Sequence, residues 1–172
     1  MASDIVIEPL TATAFATFGE VLEIAGSPSV TINRGKCHRY HDLATLDIHD
    51  GNAGISLFEG TAYNLPLTLD LVERHPLGSQ AFLPMSNAPF LVIVAEDEAG
   101  KPVRPRAWLT NGWQGVNYYR GIWHGVLTPL QEPAVFSVVD RIGDGSNLEE
   151  FKLDPPYRVV DTNGLVSSMV SA

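Results

Sequence analysis

A chain of 172 residues, 45% hydrophobic and 18% charged, is long enough to bury one sizeable core and is globular rather than disordered in composition. Its formal net charge of −9 argues against nucleic acid as a partner, because phosphate binding relies on Lys and Arg. The single cysteine, Cys37, excludes an internal disulfide and a Cys-based zinc site, and neither a leader peptide nor a membrane-length apolar run is visible, so a cytoplasmic protein with no membrane partner is expected.

In chain order, residues 4–8 alternate with period two and predict a first strand. Residues 11–19 give the one predicted helix, with Thr11 placed to cap its start and Gly19 to close it in a left-handed conformation. Further strands are predicted at 20–24, 30–33, 53–59, 68–73, 80–85, 90–96, 107–110 and 134–140. Turn residues separate them, as at Gly26-Ser27-Pro28, Asp50-Gly51-Asn52 and Gly100-Lys101-Pro102. Many short strands spaced by turns predict an all-β barrel or sandwich with one short N-terminal helix. With no linker and no repeat, residues 1–172 form a single domain, and roughly 160–172 are expected to be a loose C-terminal tail.

Two segments end a strand at a histidine. In the first, Glu73-Arg74-His75 runs into the turn Pro76-Leu77-Gly78 and continues at Gln80; in the second, the strand through Asn117 and Tyr118 bends at Gly121 and resumes at Trp123-His124. A β-barrel is expected to bring both imidazoles into one cavity. Glu73 and His75 share a strand face by period two. Asn117 and Tyr119 share another, opposite Tyr118 and Arg120, and one of these two pairs lines the cavity. Trp108, Trp113 and Trp123 read as core or interface anchors, His38 and His49 as surface residues, and Cys37 as structural.

These segments resemble the two cupin motifs, which implies a cupin-like (jelly-roll) barrel. Glu73-x-His75 stands where cupins carry His-x-His, Gln80 stands at the cupin glutamate, and Tyr119-x-Gly121-x-x-His124 matches the second motif with tyrosine in place of proline. The same four ligand positions therefore hold Glu73, His75, Gln80 and His124, a weaker divalent-ion set than three histidines and a carboxylate.

A wider resemblance spans nearly the whole chain. Arg39-Tyr40-His41-Asp42-Leu43, Asn64-Leu65-Pro66-Leu67, the 73–82 segment, Asn111-Gly112-Trp113-Gln114-Gly115-Val116-Asn117-Tyr118, Trp123-His124 and Asp140-Arg141 look like the ureidoglycolate lyase (ureidoglycolate hydrolase) family. The resemblance implies cleavage of (S)-ureidoglycolate to glyoxylate and urea in allantoin catabolism, a homodimer, and a divalent ion, nickel or another first-row metal, with no organic cofactor. Such an elimination needs a base for the hydroxyl proton and an acid for the departing urea nitrogen, for which His75, His124 and Glu73 are the catalytic candidates. Arg39 is the candidate fork for the substrate carboxylate, with Tyr40, Gln80, Asn117 and Tyr119 as further substrate contacts; Asn117 is preferred for the cavity because an amide suits urea. An amidohydrolase releasing ammonia, or a non-catalytic cupin binding a small carboxylate, are the alternative readings.

Overall fold

The computed structural model describes residues 3–170. Strand β1 (Asp4–Pro9) leads into helix α1 (Ala12–Phe15), where the Thr11 hydroxyl accepts a hydrogen bond from the Ala14 amide at 3.2 Å. The helix makes one turn and is shorter than predicted, because Phe15 and Phe18 both turn inward onto Trp108, with ring centroids 5.9 and 5.8 Å away. Gly19 is therefore not a left-handed cap. It opens β2 (Gly19–Leu22), and the Asn117 carbonyl oxygen occupies the space that a Cβ would need there.

Strands β3 (Val30–Ile32) and β4 (Cys37–Arg39) form a separate two-stranded hairpin, turned by three left-handed residues, Asn33, Arg34 and Gly35. The rest of the chain supplies β5 (Asn52–Gly60), β6 (Leu67–Arg74), β7 (Gln80–Pro84), β8 (Phe90–Glu98), β9 (Lys101–Leu109) and β10 (Gly115–Tyr118). Short β11 (Trp123–His124) and β12 (Thr128–Pro129) follow, then β13 (Ala134–Ile142) and β14 (Glu149–Val160).

The expected mostly-β architecture is present, but it has two layers. Strands β11, β6, β14, β1, β9 and β8 hydrogen-bond in that order, and β11 pairs with β8 to close a six-stranded barrel. A five-stranded sheet, β2-β10-β7-β13-β5, packs against the outside of its wall. Strand β8 explains the division. Its run Phe-Leu-Val-Ile-Val-Ala is buried on both faces, as the unbroken apolar sequence demands. Leu91, Ile93 and Ala95 enter the barrel with Ile7, Val72 and Trp123, whereas Phe90, Val92 and Val94 meet Phe82, Tyr118 and Phe136 of the sheet. Each fully buried large side chain contributes about 1.5–3 kcal/mol.

Where a loose tail was expected, Leu165–Val170 forms a second helix, α2. The Asp161 carboxylate accepts from the Leu165 and Val166 amides at 2.8 and 2.9 Å, and Leu165, Val166 and Met169 pack on the barrel core. The last two residues of the expected tail, 171–172, lie outside the described residues.

Candidate active site

The barrel wall and the five-stranded sheet converge where β6 and β11 meet. His124 pairs in register with Glu73 on one side and Val94 on the other, so all three side chains leave the same face. Val94 belongs to the core between the layers, which fixes that face as the one toward the sheet. The site is therefore outside the closed barrel, between its wall and the sheet. The neighbours of these residues point the other way and clamp the barrel end. The Arg74 guanidinium lies 4.3 Å from the Trp123 ring centroid and binds Asp97 and Glu149, and the Trp123 indole donates to Asp97.

His75 lies just past β6. Its carbonyl accepts from the Gly121 amide at 3.0 Å, tying the two histidine-bearing turns together. Gly121 has φ +78°, a left-handed conformation that favours glycine. The two imidazole centroids stand 5.3 Å apart, and the Tyr118 ring stacks on His124 at 4.4 Å with an interplanar angle of 8°.

Backbone carbonyls set both tautomers. His75 Nδ1 lies 2.7 Å from the Asn147 carbonyl oxygen and His124 Nδ1 lies 2.9 Å from that of Gly125, so each Nδ1 carries the proton and donates. Each Nε2 is left as a buried lone pair with no hydrogen-bond partner. The Glu73 carboxylate is 3.9 Å from His75 Nε2, and one donor atom from each of Glu73, His75 and His124 falls within 4.8 Å of the others. Two tautomer-fixed imidazoles and a carboxylate suit a divalent first-row ion, so these three residues fit the metal implied by the resemblance.

Burial lowers the His124 pKa to about 3, against a weaker upward pull from the Gly125 carbonyl, so this imidazole is neutral at pH 7. Burial raises the Glu73 pKa, opposed by His75 and reinforced by the neighbouring charge of Glu150.

Gln80 faces the same space. It stands opposite Tyr118 in the β7–β10 register, and its amide nitrogen donates to the Asp140 carboxylate at 3.1 Å. That bond settles the amide orientation and leaves Gln80 Oε1 as another buried acceptor without a partner. The inner wall thus offers acceptors throughout: two imidazole lone pairs, a carboxylate and an amide oxygen. It is built to meet N–H and O–H donors or a cation.

The structure brings Glu73, His75 and His124 together and sets Gln80 on their side. Asn117, preferred for the cavity, lies on the outer face of the sheet instead, and Tyr118 takes the inner position. The register fixes this choice, since Asn117 pairs with Glu20 and Ala81. Its amide nitrogen donates to Glu20 at 2.8 Å and to the Thr45 carbonyl at 3.1 Å. Tyr119 is exposed beyond the strand end, where burial and the Glu20 charge both raise its pKa. Arg39 is exposed on the hairpin and Tyr40 follows it; neither makes a hydrogen bond, ion pair or ring contact with the cluster among the described residues. Alternation of apolar and polar residues along β10 left Tyr118 as one of two choices. Asp140 and the Asn147 carbonyl carried no local signal, because each acts through a partner about 60 or more positions away.

A family model described as Ureidoglycolate lyase matches residues 2–160. The chain is 58% identical over 156 residues to the ureidoglycolate lyase of Rhodobacter capsulatus, covering 90% of this chain and 97% of that one. It is 54% identical over 157 residues to the enzyme of that name from a Chelativorans species, covering 90% and 95%, and 47% identical over 161 residues to that of Brucella anthropi, covering 92% and 95%.

Proposed function

Since the chain belongs to the ureidoglycolate lyase family, we propose that it is a carbon–nitrogen lyase that cleaves (S)-ureidoglycolate to glyoxylate and urea. The observation that carries this reading is the acceptor-lined cluster of Glu73, His75, His124 and Gln80. The substrate carbon bears a hydroxyl and a ureido nitrogen, both donor groups, and each finds an acceptor there. In the reaction the hydroxyl gives its proton to a base, the oxygen lone pair closes the carbonyl, the C–N bond breaks, and the urea nitrogen takes a proton. No electron is gained or lost overall.

The chain's own groups divide as follows. His124 is neutral through the working range and serves as a lone-pair acceptor, because protonating it in this buried position is costly. Glu73 and His75, half-buried and 3.9 Å apart, are the pair suited to exchange a proton, and the raised pKa of Glu73 brings it toward neutrality. Gln80, fixed by Asp140, accepts a hydrogen bond from the ureido group. Glu73, His75 and His124 would hold a divalent ion through these same lone pairs, and the ion would then supply Lewis acidity in their place.

We read the two-layer architecture as cupin-type and the enzyme as cytoplasmic and homodimeric. No helix among the described residues is long and apolar enough to cross a membrane. The outer face of the five-stranded sheet supports the dimer. Across it run Leu22, Gly115, Leu83, Ser137 and Leu57 in one row and Glu20, Asn117, Ala81, Val139 and Ile55 in the next, with Leu57 68% and Ile55 77% exposed. An exposed apolar sheet face of this kind suits a self-complementary two-fold contact.

The deciding assay incubates metal-stripped protein with ureidoglycolate, with and without divalent ions, and measures urea, glyoxylate and ammonia. Urea and glyoxylate in equal amounts are expected. Ammonia with carbon dioxide would establish the amidohydrolase, and no turnover under any ion would establish a binding protein.

A further inference from the structure

The substrate carries a carboxylate, yet no free cation stands among the residues that form the cluster. Arg74 is held by Asp97 and Glu149, Arg120 by Asp47 and the Pro76 carbonyl, and Arg141 is buried against the carbonyls of His49, Asp50 and Asp144. Free cations are concentrated elsewhere. Between Glu23 and Asp42 the sequence has no acidic residue, while Arg34, Lys36 and Arg39 all lie there. All three are exposed on the β3–β4 hairpin, and none has a carboxylate within ion-pair distance among the described residues. The remaining eight Lys and Arg residues face all twenty Asp and Glu. A basic arm thus projects from an acidic body, with Val30 and Ile32 also exposed on it.

The arm is rooted on the face of its own sheet opposite the one that carries the site. The chain leaves β2 at Leu22, builds the hairpin, and returns through Thr45, whose amide and carbonyl bind Glu20 and Asn117. Both of those residues are on the outer face, whereas Gln80 and Tyr118 look inward. The hairpin is therefore rooted beside the apolar face proposed as the dimer contact.

We propose that this arm crosses to a second copy of the chain and that Arg39 supplies, in trans, the guanidinium that binds the substrate carboxylate in the partner's site. The inference rests on the lyase reading of that site. A planar guanidinium matches a carboxylate with two parallel hydrogen bonds, and the arm's charge complements the acidic body it lands on. A two-fold axis makes the exchange reciprocal, so each dimer holds two complete sites.

The test uses heterodimers isolated with two affinity tags, one subunit carrying Arg39→Ala and the other His124→Ala. Each homodimer is defective, and Arg39→Ala alone raises KM on the order of 10–100-fold. If the arm acts in trans, the heterodimer holds one intact site and recovers about half the wild-type activity. Glu73→Gln replaces His124→Ala should the latter fail to fold. A heterodimer as inactive as its parents overturns the proposal, as does a KM effect that belongs to Lys152→Ala, whose exposed side chain leaves the same face of β14 as Glu150 opposite Glu73, and not to Arg39→Ala. A second readout is independent of turnover. Cys37, the sole cysteine, sits in β4, so a benzophenone maleimide attached there reports what the arm touches. Cross-links between subunits are expected, and cross-links confined to one subunit overturn the proposal. Failure of wild-type protein to yield urea and glyoxylate refutes the lyase reading and leaves this cross-linking result to decide the arm.

Discussion

Replacing His124 by asparagine should flatten the acid limb of the stability profile. His124 is 2% exposed, and its pKa falls from an ordinary 6.5 to about 3 in the fold. A lowered folded pKa for a base means that the unfolded chain takes a proton that the native state refuses. Stability from this group is complete above pH 6.5 and is lost as the pH falls toward 3. Each pH unit in that window costs about 1.4 kcal/mol, so the step from pH 7 to pH 5 removes about 2 kcal/mol. Glu73 works in the opposite sense: its raised pKa favours the fold as the pH falls, and comparison with the variant isolates the histidine. The assay is urea unfolding of metal-stripped wild type and His124→Asn at pH 7, 6 and 5. With a urea dependence of about 1–3 kcal/mol/M, the wild-type midpoint should fall roughly 1 M further than that of the variant over this range. Equal pH slopes in the two proteins would refute the buried, neutral imidazole and with it the acceptor role given to His124.

Glu73→Gln and His75→Ala should each lower turnover by about 10²–10⁴-fold in steady-state assays, while Cys37→Ser retains full activity. Asp140→Asn should free the Gln80 amide to turn, raising KM about tenfold while the thermal midpoint changes little; an unchanged KM would remove Gln80 from substrate recognition. Leu57→Asp, on the edge strand of the outer apolar face, should yield monomers by light scattering at micromolar concentration, and an unchanged mass would place the dimer contact elsewhere.

What the sequence made legible follows from how far each signal reaches. Period-two alternation and short apolar runs are local, so β1, β6, β7, β8 and β13 were all readable, and the pairing of Glu73 with His75 on one side of the chain came from alternation. The closure of six strands into a barrel was not readable, because it depends on distant pairings: β1 lies parallel between β14, from the other end of the chain, and β9, and β11 pairs with β8. The site suffered the same limit. His75 and His124 announced themselves through their turns, but the choice between Asn117 and Tyr118 needed the registers that oppose Gln80 to Tyr118 and Glu20 to Asn117. The C-terminal helix was missed because small polar residues conceal Leu165, Val166 and Met169, whose apolar side chains pack on the barrel core from a turn that Asp161 caps. Arg39 is the instructive case. Its selection rests on the need of a carboxylate for a guanidinium, yet a single fold leaves it exposed on an arm outside its own sheet. A residue chosen for substrate chemistry and found on the wrong side of its own subunit is best accounted for by an assembly in which two chains share each site.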